Sequence, residues 1–366
     1  MFSIRILHNA ITNKIGGMEI FMMNILRNIN RDEFQFDFIS DGYEPVFEDE
    51  IKSLGCNIYN MPSRVKHPLK FQKEYNKVLR QNNYDIVHIH KNSAAELAAF
   101  VACKKAKVKN VIAHSHNTSP MSGKLAIPLH YINRSRLKKL SNIYFSCSEL
   151  AGRWMFGDNM VDSGNVTFIP NAIDVDKFKY NSEIRNKIRD KLKLNNKFVI
   201  GHVGRLHHQK NHKFLIEIFV KIYKKNQNAI LMLVGDGDLR QEIEKQVIEL
   251  GIQNVVFLLG SQKNVNELLQ AMDVFLFPSL FEGFPVVAIE AQTAGLPCIV
   301  SDKITKEVVL CDGCIRISLQ DDIGKWVNAV VQSARNENAH EQIRKAGFDI
   351  KNMVENLSKM YRSYIK

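Results

Sequence analysis

The sequence predicts an α/β protein built as two Rossmann-like, doubly wound halves facing a cleft. Three observations predict it. The chain has 366 residues, which suits two domains of about 100–200 residues each. Short apolar runs alternate along it with longer, charged, helix-like stretches, the pattern of βα units. Runs such as ILMLVG at 230–235 are too continuously apolar for half-exposed strands and suit parallel strands covered on both faces.

The first series of strand candidates is 4–7, 36–40, 85–90, 110–116, 143–148 and 166–170. The second is 198–204, 229–235, 254–260, 273–279, 297–301 and 314–318. Twelve strands exceed one doubly wound unit, so the polar stretch 174–197 marks the division. The expected domains are 1–175, 176–345 and a C-terminal helix, 346–366, that can pack back on the first domain. The segment 338–366 reads as helical and polar on one face. There is no internal repeat and no low-complexity tract.

Formal net charge is +12 and the pI about 9.3, which favours an anionic partner: nucleic acid, anionic lipid or a phosphorylated small molecule. No helix-turn-helix, zinc finger or RNA-recognition motif accompanies the charge, so no nucleic acid is expected. The cysteines at 56, 103, 147, 298, 311 and 314 lie mostly in apolar runs, as reduced, buried thiols of a cytosolic protein do. CDGC at 311–314 is a lone C-x-x-C without the second pair or spaced histidines of a zinc site, so no metal is assigned. No apolar run reaches the ~18 residues of a membrane span. The start, MFSIRILHNA, reads as a first strand and not as a signal peptide.

Ligands of open α/β sheets sit at the carboxyl ends of strands, where helix N-termini point. NKIGGME (13–19) follows the first strand; Gly16 and Gly17 form either a plain tight turn or a place where backbone approaches a ligand. His114 and His116 in HSHN share one face of a strand end, as a structural pair or as part of a polar site. In VGRLHHQKN (203–211), Gly204 can make the tight turn, while Arg205 and Lys210 suit a diphosphate or form a solvated loop. GDGD (235–238) contains D-x-D, but its glycines favour a loop with Asp238 as helix N-cap over a metal site.

FEGFPVVAIEAQTAG (281–295) reads as a loop and then a helix, with Pro285 in the first turn and Gly295 at the stop. Glu290 lies about 7 Å along this helix from Pro285, at 1.5 Å per residue, beside the amides that start it. A carboxylate in so apolar a helix is costly unless hydrogen-bonded. It pairs either with a neighbouring helix or with the hydroxyls of a ribose, as in dinucleotide sites. Glu282, in the preceding loop, would face the other side of a phosphate on those amides.

EGFPVVAIE is the E-x7-E pattern of retaining glycosyltransferases with the two-domain GT-B fold. With GGME, HSHN, IPNAID (169–174), VGRLHHQKN and GDGDLR in the same order, the chain resembles family-4 bacterial glycosyltransferases of the capsular and exopolysaccharide type over nearly its whole length. NAID departs from the Asn-Gly-Ile-Asp of many relatives, with Ala172 bearing on hinge geometry. The resemblance implies transfer of a hexose-type sugar, with retention, from a nucleotide-sugar (a UDP-sugar by analogy) to a lipid-linked or saccharide acceptor. It places Arg205 and Lys210 on the donor diphosphate, Glu282, Gly283, Phe284, Pro285, Val286 and Val287 on the donor sugar, and Glu290 on the ribose. It puts His116 near the donor sugar, Gly16 and Gly17 near phosphate and acceptor, and Gly204 at the donor turn. His116, Glu282, Arg205 and Lys210 are the catalytic candidates, and no cofactor or metal is expected. The alternatives are a GT-B-like nucleotide-sugar epimerase, which needs no acceptor, and a non-catalytic sugar-nucleotide-binding subunit.

Between 101 and 153 the chain has ten lysines and arginines and one acid, Glu149. GKLAIPLHYINRSRLKKL interleaves Leu125, Ile127, Leu129, Tyr131 and Ile132 with Arg134, Arg136, Lys138 and Lys139. This suits either a solvated basic surface or an interfacial helix on anionic lipid. A lipid-linked acceptor favours the second, so 124–139 is expected to hold the protein on the inner face of the membrane.

Overall fold

The computed structural model describes residues 3–14, 16–64, 66–117, 126–282 and 284–365. The chain divides into two compact units, Met1–Ala172 with Ile350–Lys366, and Ile173–Asp349. The first boundary falls three residues before the expected 175/176 because Ile173 belongs to the second unit's core. Ile173 pairs with Asp349 and donates its N–H to Phe348 O at 3.0 Å. The second falls at 349/350, where a new helix starts.

The first unit is a seven-stranded parallel sheet. Its strands are β1 (Ile4–Ile11), β2 (Phe34–Ser40), β3 (Asn57–Asn60), β4 (Ile86–Lys91), β5 (Asn110–Ser115), β6 (Ile143–Ser146) and β7 (Thr167–Phe168), in the order β3-β2-β1-β4-β5-β6-β7. β3 was not among the expected strands. It is a four-residue edge strand, NIYN, with no fully buried residue, so it carries no apolar run to read. The terminal segment is two helices, Ala339–Lys345 and Ile350–Tyr364, and not one. The second lays Ile350, Met353, Val354, Leu357 and Tyr361 on Ile4, Ile6, Phe34 and Phe36 of the sheet. Positions 350, 353, 354, 357 and 361 lie on one helical face, and Arg362 fastens the helix end to Glu33 at 2.6 Å.

The second unit is a six-stranded parallel sheet of β8 (Phe198–Val203), β9 (Ala229–Val234), β10 (Val256–Leu258), β11 (Val274–Phe277), β12 (Cys298–Ser301) and β13 (Cys314–Ile317), in the order β10-β9-β8-β11-β12-β13. Apart from β7 the order is that of the first sheet, although the halves show no sequence repeat. Every residue of β9 is buried, as its unbroken apolar run requires. In β8, Gly201 faces Met272 so closely that a Cβ would stand 1.9 Å from its sulfur. In each sheet the strand order reverses once, between β1 and β4 and between β8 and β11, which leaves a crevice at the carboxyl ends of those strands. All six cysteines are buried and free, Cys311 and Cys314 included.

Candidate active site

In the second unit the loops after β8, β9 and β11 meet. Gly204 N–H donates to Val234 O (2.9 Å), Leu206 N–H to Asp236 O (3.0 Å) and Leu280 N–H to Gln209 O (2.8 Å). The Gln209 amide also reaches Phe281 O at 2.9 Å. The glycines of GDGD make this packing possible: a Cβ on Gly235 would stand 2.0 Å from Gly204 O, and one on Gly237 2.4 Å from Leu206 O. Gly204 lies under Lys210, whose Cε is 3.0 Å from where its Cβ would be.

Asp238 is not the expected N-cap. Leu239 N–H still bonds across the loop to Leu206 O (3.0 Å), so the helix Arg240–Glu249 begins later and has no side-chain cap. Asp238 instead accepts from Arg205 at 2.9 and 3.2 Å. That pair is about two-thirds exposed, so water screens it and either partner can leave cheaply. Lys210 pairs with Glu282 at 2.7 Å in a far less exposed setting and lies 4.6 Å from the Phe277 ring centroid. The two residues expected on diphosphate and hexose thus touch each other.

Glu290 sits in the helix Val286–Thr293, with Pro285 as N-cap and Gly295 in the left-handed region at φ 75° just past its end. It is half-buried, and its carboxylate makes no hydrogen bond or ion pair among the described residues. The neighbouring-helix ion pair is therefore not formed. Burial pushes its carboxyl up to about 7, with Lys177 pulling the other way. A carboxylate without a partner among the described residues, beside a helix start, suits a ligand that donates hydroxyls and carries phosphate. Phe284 is stacked on Phe348 at 5.6 Å, Pro285 is buried, and Val286 and Val287 are half-buried. Gly283 lies outside the described residues.

In the first unit Gly16 caps the helix Gly17–Asn28. A Cβ on Gly16 would stand 2.8 Å from Glu19 Oε2, whereas Gly17 faces open space. Glu19 is buried and accepts from Thr12 Oγ1 at 2.8 Å. His114 and His116 do share a face, with ring centroids 4.0 Å apart, but they are part of a larger stack. His116 Nε2 meets His90 Nδ1 at 2.8 Å, and His90 Nε2 meets His8 Nδ1 at 3.0 Å. His88 bridges His114 (3.0 Å) and the Tyr361 hydroxyl (2.8 Å). Burial holds His8 and His116 down at about 3, so both are neutral at physiological pH. The same alternation that marked 114 and 116 runs through HIH at 88–90; only the tertiary fold joins the pairs. Two groups, His8–His88–His90 and His90–His114–His116, bring ring nitrogens within 4.8 Å of one another, a spacing set by the His8–His90 and His90–His116 hydrogen bonds and by stacking of His88 on His90 and His114 on His116.

The helix Ala126–Leu140 leaves Ile127, Leu129, Tyr131 and Ile132 exposed ahead of Arg134, Arg136, Lys138 and Lys139. Lys124 and Leu125 of the same stretch lie outside the described residues. No helix among the described residues is long and apolar enough to cross a membrane.

Residues 15–177 match the family Glycosyltransferase Family 4, and residues 184–349 match Glycosyl transferases group 1. EpsF of Bacillus subtilis (strain 168), described as a glycosyltransferase, is 32% identical over 98% of this chain and 96% of its own length. An Escherichia coli UDP-Gal:alpha-D-GlcNAc-diphosphoundecaprenol alpha-1,3-galactosyltransferase is 26% identical over 98% and 96%. Among solved structures, Anabaena Alr3699/HepE in complex with UDP superposes with a TM-score of 0.81 at 18% identity, over 99% of this chain and all of that one. With two Rossmann-like sheets of matching order and the E-x7-E helix at a switch point, this chain belongs to the family-4 glycosyltransferases of GT-B fold.

Proposed function

We propose that the protein transfers a hexose-type sugar, with retention of configuration, from a UDP-sugar to a lipid-linked saccharide in the synthesis of a cell-surface polysaccharide. The observation that carries the donor side is Glu290, a carboxylate with no partner among the described residues, one turn into the helix that starts at Val286. Ribose hydroxyls would satisfy it, and the amides would take the phosphate. Arg205 would leave its exposed pair with Asp238 to meet the diphosphate, and Lys210 would bridge the diphosphate and Glu282. Glu282 and the 283–287 backbone would then hold the hexose, and the resemblance gives His116 a role next to that sugar. The bond from anomeric carbon to phosphate oxygen breaks, and the acceptor oxygen bonds to the same face while its proton passes to the departing phosphate. Two cations and the helix amides stabilise the charge that grows on the diphosphate, work that in other enzymes falls to a metal ion.

The acceptor reading is supported by the Escherichia coli relative, whose name gives a UDP-sugar donor and a diphosphoundecaprenol-linked acceptor. The exposed apolar residues at 127–132 followed by four cations suit a helix lying on anionic lipid at the inner face of the membrane. A screen of UDP- and GDP-sugars for hydrolysis, and then for transfer to short lipid-diphosphate saccharides, tests the proposal. Product anomers assigned by NMR decide retention. Turnover is expected to survive excess EDTA. Activity lost in EDTA and restored by Mg²⁺ or Mn²⁺ would refute metal independence, and GDP-sugar preference would refute the uridine assignment.

A further inference from the structure

We infer that His90, itself held by His8, is a positioning residue for His116: a one-way chain of hydrogen bonds keeps the His116 proton on Nδ1, so that this ring meets its ligand as a neutral hydrogen-bond donor and not as a base. That His116 has a ligand rests on the glycosyltransferase reading; the chain does not. β1, β4 and β5 are neighbours in the first sheet, with His8 opposite His88 and His90 opposite His114 in the register. The links run diagonally across it, from His8 Nδ1 to His90 Nε2 at 3.0 Å and from His90 Nδ1 to His116 Nε2 at 2.8 Å. Each step therefore moves two residues along the strands, from within β1 to just past the end of β5, at the edge where open α/β sheets take ligands.

A neutral imidazole has one N–H and one bare nitrogen. Burial pushes all three rings down, His8 and His116 to about 3, so each carries a single proton at physiological pH. Because His90 has one proton for two links, both links must point the same way. With the protons on Nε2, His116 donates to His90, His90 to His8, and the last N–H is that of His8. With the protons on Nδ1, His8 donates to His90, His90 to His116, and the last N–H is that of His116. Neither end nitrogen, His8 Nε2 or His116 Nδ1, has a partner among the described residues, so the arrangements differ in which end receives the N–H. His8 is fully buried against the Phe36 and Phe38 rings, where an N–H would lose its hydration and gain no acceptor. Orphaned N–H groups are rarer in folded proteins than under-used acceptors. His116 is half-buried at the sheet edge, where an oxygen of a ligand can accept. The chain is therefore held in the second arrangement. His116 Nε2 is then occupied by the N–H of His90, and the ring keeps no free acceptor with which to take a proton.

The tautomer is read directly by long-range nitrogen–proton NMR correlation on the full chain with isotope-labelled histidine, the His116 signals being identified by their loss in His116→Gln. In wild type, His116 is expected with its proton on Nδ1. His90→Phe removes the donor and should release His116 to the Nε2–H form. His90→Asn, whose amide N–H stands about where the Nδ1–H did, should keep the proton on Nδ1. In UDP-sugar hydrolysis, kcat should fall about tenfold in His90→Phe, the scale of one lost hydrogen bond, and recover in His90→Asn. UDP affinity should stay within about twofold of wild type in both, since the change lies in the other unit. The inference is overturned if wild-type His116 carries its proton on Nε2, if His90→Phe leaves it on Nδ1, or if kcat is unchanged in His90→Phe or falls equally in both variants. Should His90→Phe fail to fold, the wild-type and His90→Asn tautomers decide. Absence of turnover with every nucleotide-sugar would count against the glycosyltransferase reading instead, and the tautomers would still decide the chain.

Discussion

Glu290→Gln should make the free protein more stable and the donor bind more weakly. Lifting a carboxyl from 4.5 to about 7 corresponds to about 3 kcal/mol at about 1.4 kcal/mol per pH unit. The sign follows from proton linkage. The folded carboxyl keeps its proton up to about 7, whereas the unfolded one loses it above about 4.5, so ionising Glu290 works against folding. That cost is absent below about pH 4.5, reaches about 1 kcal/mol at pH 5 and about 2 at pH 6, and is complete at about 3 above pH 7. Glutamine removes it at a cost in shape close to nothing. A domain of this size gains about 2–4 °C in Tm per kcal/mol, so the variant should melt several degrees above wild type at pH 8 and close to it at pH 5. The ligand reverses the order: charge-assisted bonds of about 1.5–3 kcal/mol put UDP affinity about tenfold to a hundredfold below wild type at pH 8. The wild-type affinity should also fall as pH drops from 8 to 6, and that component should be missing in the variant. Calorimetric scans and UDP titrations at pH 5, 6 and 8 read all of this. A variant that melts below wild type at pH 8, or binds UDP as tightly, refutes the idea of a carboxylate kept unpaired for the ribose.

Arg205→Ala and Lys210→Ala should each lower turnover by about tenfold or more while leaving the Arg205 variant's Tm unchanged, because that side chain is about two-thirds exposed; unchanged turnover in both removes the diphosphate assignment. The histidine stack gives an acid limit: His8 and His116 are held by burial at about 3 in the folded chain but take protons near 6.5 when unfolded. Stability should therefore fall as pH drops below 6.5, and His8→Phe should flatten that slope in melts between pH 7 and 4.5; an unaltered slope would mean the stack is not the cause. Replacing Arg134, Arg136, Lys138 and Lys139 with glutamine should abolish sedimentation with anionic liposomes, at about 1 kcal/mol per charge, whereas equal sedimentation of wild type and variant, or none by wild type, would leave a soluble acceptor.

The sequence by itself determined the layers. Unbroken apolar runs such as that of β9 have one stable use, as parallel strands covered on both faces, and their spacing reveals two sheets. It also singled out the loops proposed for the donor, because a carboxylate in the apolar helix 286–293 and glycines at strand ends are local anomalies that need no third dimension to notice. β3 escaped notice because an edge strand buries too little to leave a pattern. Asp238 looked like a cap because caps are read from the sequence next to a helix, and a hydrogen bond from Leu239 to Leu206, far away in the chain, moved the helix start.

Pairing is what only the tertiary structure decided. That Lys210 meets Glu282, 72 positions on, while the Glu290 carboxylate finds no partner among the described residues, depends on which loops the parallel order β9-β8-β11 brings side by side. The five histidines of the stack come from β1, β4, β5 and the residue just past β5, and one of them is anchored by Tyr361, 273 positions away. Asp41, Arg64, Lys91 and Glu96 likewise close into a network of ion pairs, although each is unremarkable in sequence. Apolar periodicity is a property of neighbours in the chain and survives in one dimension. Compensation of charge is a property of neighbours in space, and a side chain becomes a partner or an orphan only when the sheet order has set which strand ends adjoin.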